Sequence, residues 1–202
     1  MARYTGPRTK KSRRYGAALF GPSKALERRA YPPGQHGEKS RRKVSEYAVA
    51  LGEKQKLKLM YGVLEKQFRR YFEIAQRKRG VTGVQLLQIL EARLDNIVFR
   101  LGFANSRRSA RQLVSHGHVR VNGKKVTIPS YSTKPNEIVE IVDKPGARKL
   151  ALKNLEITQI APVPDWLLLD KEAYKGEIKR VPSREEIAPI ANEQLVVELY
   201  SR

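Results

Sequence analysis

Residues 106–123, SRRSARQLVSHGHVRVNG, constrain the chain more than any other stretch. They read as a short basic helix, a glycine stop, a strand and a tight turn. Ser106 can accept a hydrogen bond from the orphan N–H groups of a first helical turn. Ala110, Leu113 and Val114 recur at helical spacing, which puts them on one apolar face. Arg107, Arg108 and Arg111 fall mostly on the other side. Gly117 can take the left-handed conformation that ends a helix. Val119 and Val121 then alternate with His118 and Arg120, the period of a half-buried strand. Asn122-Gly123 supplies the two positive φ angles of a type I′ hairpin turn. Three arginines, with Lys124 and Lys125 after the turn, are thus held on a compact unit suited to a phosphate backbone.

Charge gives that unit its setting. The 202 residues carry a formal net charge of +21. Self-repulsion at this level calls for a polyanionic partner; nucleic acid is the first candidate and an anionic membrane surface the second. The charge is unevenly placed. Residues 1–43 hold 13 Lys/Arg against two acids, and residues 44–136 hold 18 against six. Residues 137–202 hold 10 against 12. The partner surface belongs to the first two thirds, and the last third suits scaffold or a different partner. No apolar run reaches the roughly 18 residues of a spanning helix, and the start, MARYTGPRTKK, lacks the apolar core of a signal peptide. A cytoplasmic location is the default. With no cysteine, disulfides and thiolate metal sites are excluded.

Along the chain, residues 1–43 show little periodicity and many breakers, including Gly6-Pro7, Gly21-Pro22 and Pro32-Pro33-Gly34. Tyr4, Tyr15, Phe20 and Tyr31 are interleaved with the charges, as in segments that stack on bases or sugars. The expectation is a basic arm that orders against RNA, with Arg3, Arg8, Arg13, Arg14 and His36 among its contacts. Residues 44–90 read as a helical domain. Ser45 caps a helix with Tyr47, Ala48 and Leu51 inside and Gly52 as its stop; 54–61 forms a second short helix. A third carries Leu64, Phe68, Tyr71, Phe72 and Ala75 as a core stripe, with Arg69 and Arg70 off that stripe as RNA candidates. Thr82-Gly83 opens the next helix, which buries Leu86, Leu87, Leu90 and Leu94. Asp95 caps a continuation, and the basic helix follows after a short connection.

Beyond the turn, 124–128, 137–142, 166–169 and 177–181 read as strands. Pro145-Gly146 reads as a turn, and 150–160 is ambiguous between helix and strand. A helix is expected from Arg184-Glu185-Glu186, and Asn192 caps a last short one. The fold class is α+β: a basic arm, a helical domain over 44–90 that residues 183–202 can join, and a 91–182 domain with an RNA-binding helical hairpin on an antiparallel sheet.

Catalytic signatures are lacking: no G-x-S-x-G, no HExxH and no Walker A sequence occurs. His116 and His118 are too few for a metal site; His116 suits a helix C-terminus and His118 faces out of a strand. No metal or cofactor is expected. What remains is phosphate neutralisation, with binding that weakens steeply with salt. A helix enters the deep major groove of A-form RNA poorly, so such a unit would read duplex shape and junctions.

The segment LEARLDNIVFRLGFANSRRSARQLVSHGHVRVNGKKVTIPSY, residues 90–131, resembles the small RNA-binding module named after the fourth protein of the small ribosomal subunit. Enzymes such as pseudouridine synthases also carry this module, but the roughly 70 residues after it are too few for a catalytic domain. The flanks Tyr4-Thr5-Gly6-Pro7, Pro33-Gly34-Gln35-His36-Gly37 and NEQLVVELYSR are similar to the bacterial-type ribosomal protein family itself, over essentially the whole chain. The resemblance implies a non-catalytic primary binder of 16S rRNA at a junction in the 5′ domain, which nucleates assembly of the subunit body. It also implies contact with ribosomal protein five and with mRNA where it enters, an influence on translational accuracy, and in some members repression of their own message. Carried over by position, the RNA-contacting helix is 106–116, with Arg107, Arg108, Arg111 and His116, and with Arg93, Lys124 and Lys125 beside it. Many members bind zinc through four cysteines in the first segment. This chain has none, so that segment must be ordered by RNA and packing.

Overall fold

The computed structural model describes residues 4–39, 44–158, 162–187 and 191–201. The chain divides into two compact units, Met1–Leu86 with Ala188–Arg202, and Leu87–Ile187.

The first unit is helical. Helices α1 (Arg8–Tyr15) and α2 (Lys24–Arg28) form in the basic arm. Periodicity could not announce α1, because RTKKSRRY has no apolar stripe. Tertiary bonds hold it instead. Arg13 Nε donates to the carbonyls of Arg29 (3.1 Å) and Tyr31 (3.2 Å), and its guanidinium lies 4.9 Å from the Tyr31 ring centre. These contacts of Arg13 hold α1 against the segment that follows α2.

Helix α3 (Glu46–Met60) starts where expected, with Ala48 N–H donating to Ser45 Oγ at 3.3 Å. It does not stop at Gly52. One glycine inside a helix costs about 1 kcal/mol relative to alanine, and packing along α3 outweighs that cost. Tyr47 and Ala48 are exposed; the buried positions are Ala50, Lys54, Leu57, Leu59 and Met60. Helix α4 (Glu65–Arg77) buries Phe68, Tyr71, Phe72 and Ala75 as its stripe requires. Helix α5 (Thr82–Glu91) begins in this unit and ends in the second.

The second unit holds the helical hairpin, α6 (Leu94–Arg100) and α7 (Arg107–Ser115), on a five-stranded antiparallel sheet. Its strands are β1 (Val119–Val121), β2 (Lys124–Lys125) and β3 (Ile138–Ile141), followed by helix α8 (Pro145–Thr158), β4 (Leu167–Asp170) and β5 (Lys175–Ile178). The order across the sheet is β2-β1-β3-β5-β4. Alternation puts Val119, Val121, Val139, Ile141, Leu167 and Ile178 on the inner face. They close a core with Leu94, Ile97, Val98 and Leu101 of the α6 region, Ala110, Leu113 and Val114 of α7, and Ala147, Ala151 and Leu155 of α8.

Four local expectations change here. Pro145-Gly146 opens a helix rather than a turn, consistent with proline at a first helical position, and this settles the ambiguous 150–160 region as helix as far as Thr158. The strand after the hairpin turn stops at Lys125. The last hairpin turns at 171–174, so Lys175 and Gly176 lie in β5. Residues 184–187 form a turn, not a helix. The terminal helix α9 (Glu193–Ser201) follows the Asn192 cap, whose Oδ1 accepts from Gln194 N–H at 2.9 Å, and packs on α3 within the first unit.

Candidate nucleic-acid interface

Helix α7 begins at Ser106, whose Oγ accepts the Ser109 N–H at 3.3 Å, and no acid occupies its first turn. The absence of a carboxylate leaves the positive end of the helix to attract phosphate. It ends in paired backbone bonds: Gly117 N–H to Val114 O (2.9 Å) and His118 N–H to Leu113 O (3.0 Å). This 6→1 and 5→2 pattern needs a left-handed residue between helix and strand, and Gly117 supplies it at φ +71°. The following turn has positive φ at both Asn122 (48°) and Gly123 (77°), the type I′ geometry, and Asn122 Oδ1 accepts from Ile138 N–H at 2.9 Å to tie it to β3.

Beneath α7 lies a buried polar network that sequence reasoning missed. Asn96 is fully buried. Its Nδ2 donates to the Glu91 carbonyl (3.0 Å) and carboxylate (2.6 Å), and its Oδ1 accepts from Arg107 Nε at 2.8 Å. Glu91, also fully buried, accepts two bonds from Arg100 (3.1 and 2.7 Å). The Arg107 guanidinium lies 4.6 Å from the Phe99 ring centre. Arg93 makes two bonds to Asp95 (3.0 and 2.6 Å), and Arg111 reaches the same carboxylate at 3.5 Å. A signal was present in the sequence: Glu91 and Asp95 are the only acids from 74 to 136. Two carboxylates amid so many cations are natural anchors.

The sequence candidates therefore separate. Arg107 and Arg111 are half-buried and tethered to α6 residues, while Arg108 is half-buried on the same helix. His116, Lys124 and Lys125 are exposed. Arg93 is not a surface residue: it is 3% exposed and its guanidinium is held by Asp95, so it serves the fold beneath the helix. In the first unit, Arg8, Arg14 and His36 are exposed and Arg13 is half-buried against Tyr31. Arg69 and Arg70 are exposed on α4, with Arg69 3.7 Å from Glu73. Arg3 lies outside the described residues. His116 and His118 stand with ring centres 6.1 Å apart, and no cluster of three metal-ligating side chains occurs among the described residues.

A basic helix capped by serine, stopped by glycine and seated with its partner helix on an antiparallel sheet defines an RNA-binding module of the ribosomal type. Residues 92–139 match the S4 domain, and residues 3–91 match the Ribosomal protein S4/S9 N-terminal domain. Over the full length of both chains, the protein is 60% identical to the small ribosomal subunit protein uS4 of Akkermansia muciniphila, 57% to that of Opitutus terrae and 51% to that of Thermus thermophilus. The chain belongs to the uS4 family of small-subunit ribosomal proteins, which are structural components and not enzymes. Its S4 domain binds rRNA in the small subunit. Among the described residues, no helix is long and apolar enough to cross a membrane.

Proposed function

We propose that the chain is a primary binder of 16S rRNA, which docks on a helix junction of the 5′ domain and nucleates assembly of the subunit body. The observation that carries this reading is the anchoring of α7. Arg107 and Arg111 are fixed by Asn96 and Asp95 before any partner arrives. Pre-ordered guanidinium groups lose less entropy on meeting phosphate than flexible ones. Arg108, His116, Lys124 and Lys125 extend the surface at both ends of the helix–strand unit. On the first unit, the arm (Arg3, Arg8, Arg13, Arg14 and His36) and the α4 face (Arg69 and Arg70) add further contacts. The domains that serve this role are the arm over 1–43, the helical part over 44–90 with 183–202, and the module over 91–182.

The last third, with its slight excess of acid, serves a protein neighbour, ribosomal protein five. Through that interface, and through contact with mRNA where it enters, the chain influences translational accuracy. Titration with 5′-domain and 3′-domain fragments of 16S rRNA over a range of salt tests the reading. Tight, steeply salt-dependent binding to the 5′-domain fragment supports it. Equal affinity for both fragments overturns it.

A further inference from the structure

Four cationic or protonatable side chains converge where α7 meets β1. His116 ends the helix and His118 opens the strand, with ring centres 6.1 Å apart. The side chain of Lys125 lies across Gly117 between them, so closely that an added Cβ on Gly117 would collide with Lys125 Cε. Lys144 follows two residues after Val142, whose N–H bonds the His118 carbonyl at 2.9 Å. The acids of the surrounding elements are engaged elsewhere. Asp143 sits 3.2 Å from Arg148, and Glu140 lies between Arg120 (4.0 Å) and Lys175 (3.6 Å). Nδ1 of His118 is enclosed and makes no hydrogen bond among the described residues. His116, His118 and Lys125 thus bring cationic and protonatable groups to one junction, with no ion pair to them among the described residues, an arrangement that favours an anion with several acceptor oxygens.

We propose that His116, His118, Lys125 and Lys144 form a binding site for a phosphate-type oxyanion, and that His118 takes up a proton from solution when the site fills. The site deepens the rRNA-binding reading above and rests on it, with a backbone phosphodiester as the ligand. Without an anion, burial first, and then His116, Lys144 and Lys125, hold the His118 imidazole below the ordinary histidine range. A phosphodiester brings a negative charge and acceptor oxygens, and so reverses that balance. Gly117 is then the residue that lets Lys125 reach the site, and Lys144 links it to the start of α8.

Two measurements on the full chain test this. The first follows the histidine Cε1 protons by NMR against pH, alone, with a 16S 5′-domain fragment, and with millimolar inorganic phosphate. RNA should move the His118 midpoint up by about one pH unit, a tenfold change in proton affinity; inorganic phosphate should leave it near its free value. A shift with inorganic phosphate as large as that with RNA would overturn the backbone assignment. The second measures RNA affinity against pH for the wild type and H118Q. Because His118 takes up a proton on binding, wild-type affinity should fall by about threefold from about pH 6 to 7.5, with most of that slope lost in H118Q. Steep salt dependence with the same pH slope in both proteins would overturn the oxyanion site and leave rRNA binding intact. Failure to bind the RNA at any pH would overturn both.

Discussion

Arg107 Nε donates a 2.8 Å hydrogen bond to Oδ1 of Asn96, a side chain with no solvent exposure. The same amide holds Glu91, which holds Arg100. The first arginine of α7 is thus continuous with the interior of the module. Asn96→Leu should leave Glu91 short of a donor and release Arg107. We expect a loss of about 2–3 kcal/mol in urea unfolding and a several-fold loss of rRNA affinity under conditions where the variant is fully folded. Unchanged affinity in the folded variant would mean that the tether does not serve binding.

The exposed cations make a cleaner test of electrostatics than the tethered ones. Reversing charge at Arg107, Arg108 and Arg111 together would set a carboxylate against Asp95 and confound folding with binding. Lys124→Gln with Lys125→Gln, both exposed on the hairpin, avoids that conflict. It should weaken rRNA binding and lower the slope of log K against log salt by about 2, close to one unit per lost phosphate contact. Thermal stability should stay within a few degrees of wild type. An unaltered salt slope would remove these side chains from the interface.

The hairpin turn depends on positive φ at Gly123. A β-branched residue resists that conformation, at a cost of about 1–3 kcal/mol. Gly123→Val should lower the melting temperature measurably, whereas Gly123→Asn should be mild, because asparagine tolerates left-handed geometry. Equal stability of the two variants would contradict the type I′ turn.

Glu65 gives the first unit an acid-sensitive joint. Partial burial pushes its carboxyl pKa up, but hydrogen bonds from Lys54 (2.7 Å), Lys58 (2.9 Å) and Tyr200 (2.8 Å) outweigh that and bring it to about 2. A carboxyl depressed in the folded state contributes stability above its unfolded pKa of about 4.3, and loses it as pH falls toward about 2. Stability of the wild type should therefore drop more than that of Glu65→Gln across this window, by circular dichroism at stepped pH. Because the Glu65 side chain is 46% exposed, the difference should be modest and should shrink in high salt. Parallel curves would show that the joint is not linked to folding.

Local chemistry made much of the fold legible. The Ser106 and Ser45 caps, the Gly117 stop and the Asn122-Gly123 turn each depend on a few neighbouring residues, and each forms as their chemistry dictates. The α4 stripe and the β1 alternation were readable for the same reason. What escaped was decided by distant partners. Helix α3 runs through Gly52 with α9 packed along it, and Tyr200 stacks 4.7 Å from Phe72 while bonding Glu65, 135 positions earlier in the chain. Arg93 read as an RNA contact because its charge was visible and its partner, Asp95, read as a cap. α1 shows no apolar period, and Arg13 bonds carbonyls 16 and 18 positions further along instead of a core face forming there.

In the proposed binding mode α7 faces the 5′ domain of 16S rRNA. The chain has no cysteine, so Gln112→Cys on the exposed side of α7 can carry a single tethered iron chelate for directed hydroxyl-radical cleavage in reconstituted small subunits. Strand cuts clustered at one junction of the 5′ domain are the predicted result. Cuts confined to other domains, or none at all from a probe in incorporated protein, would contradict it.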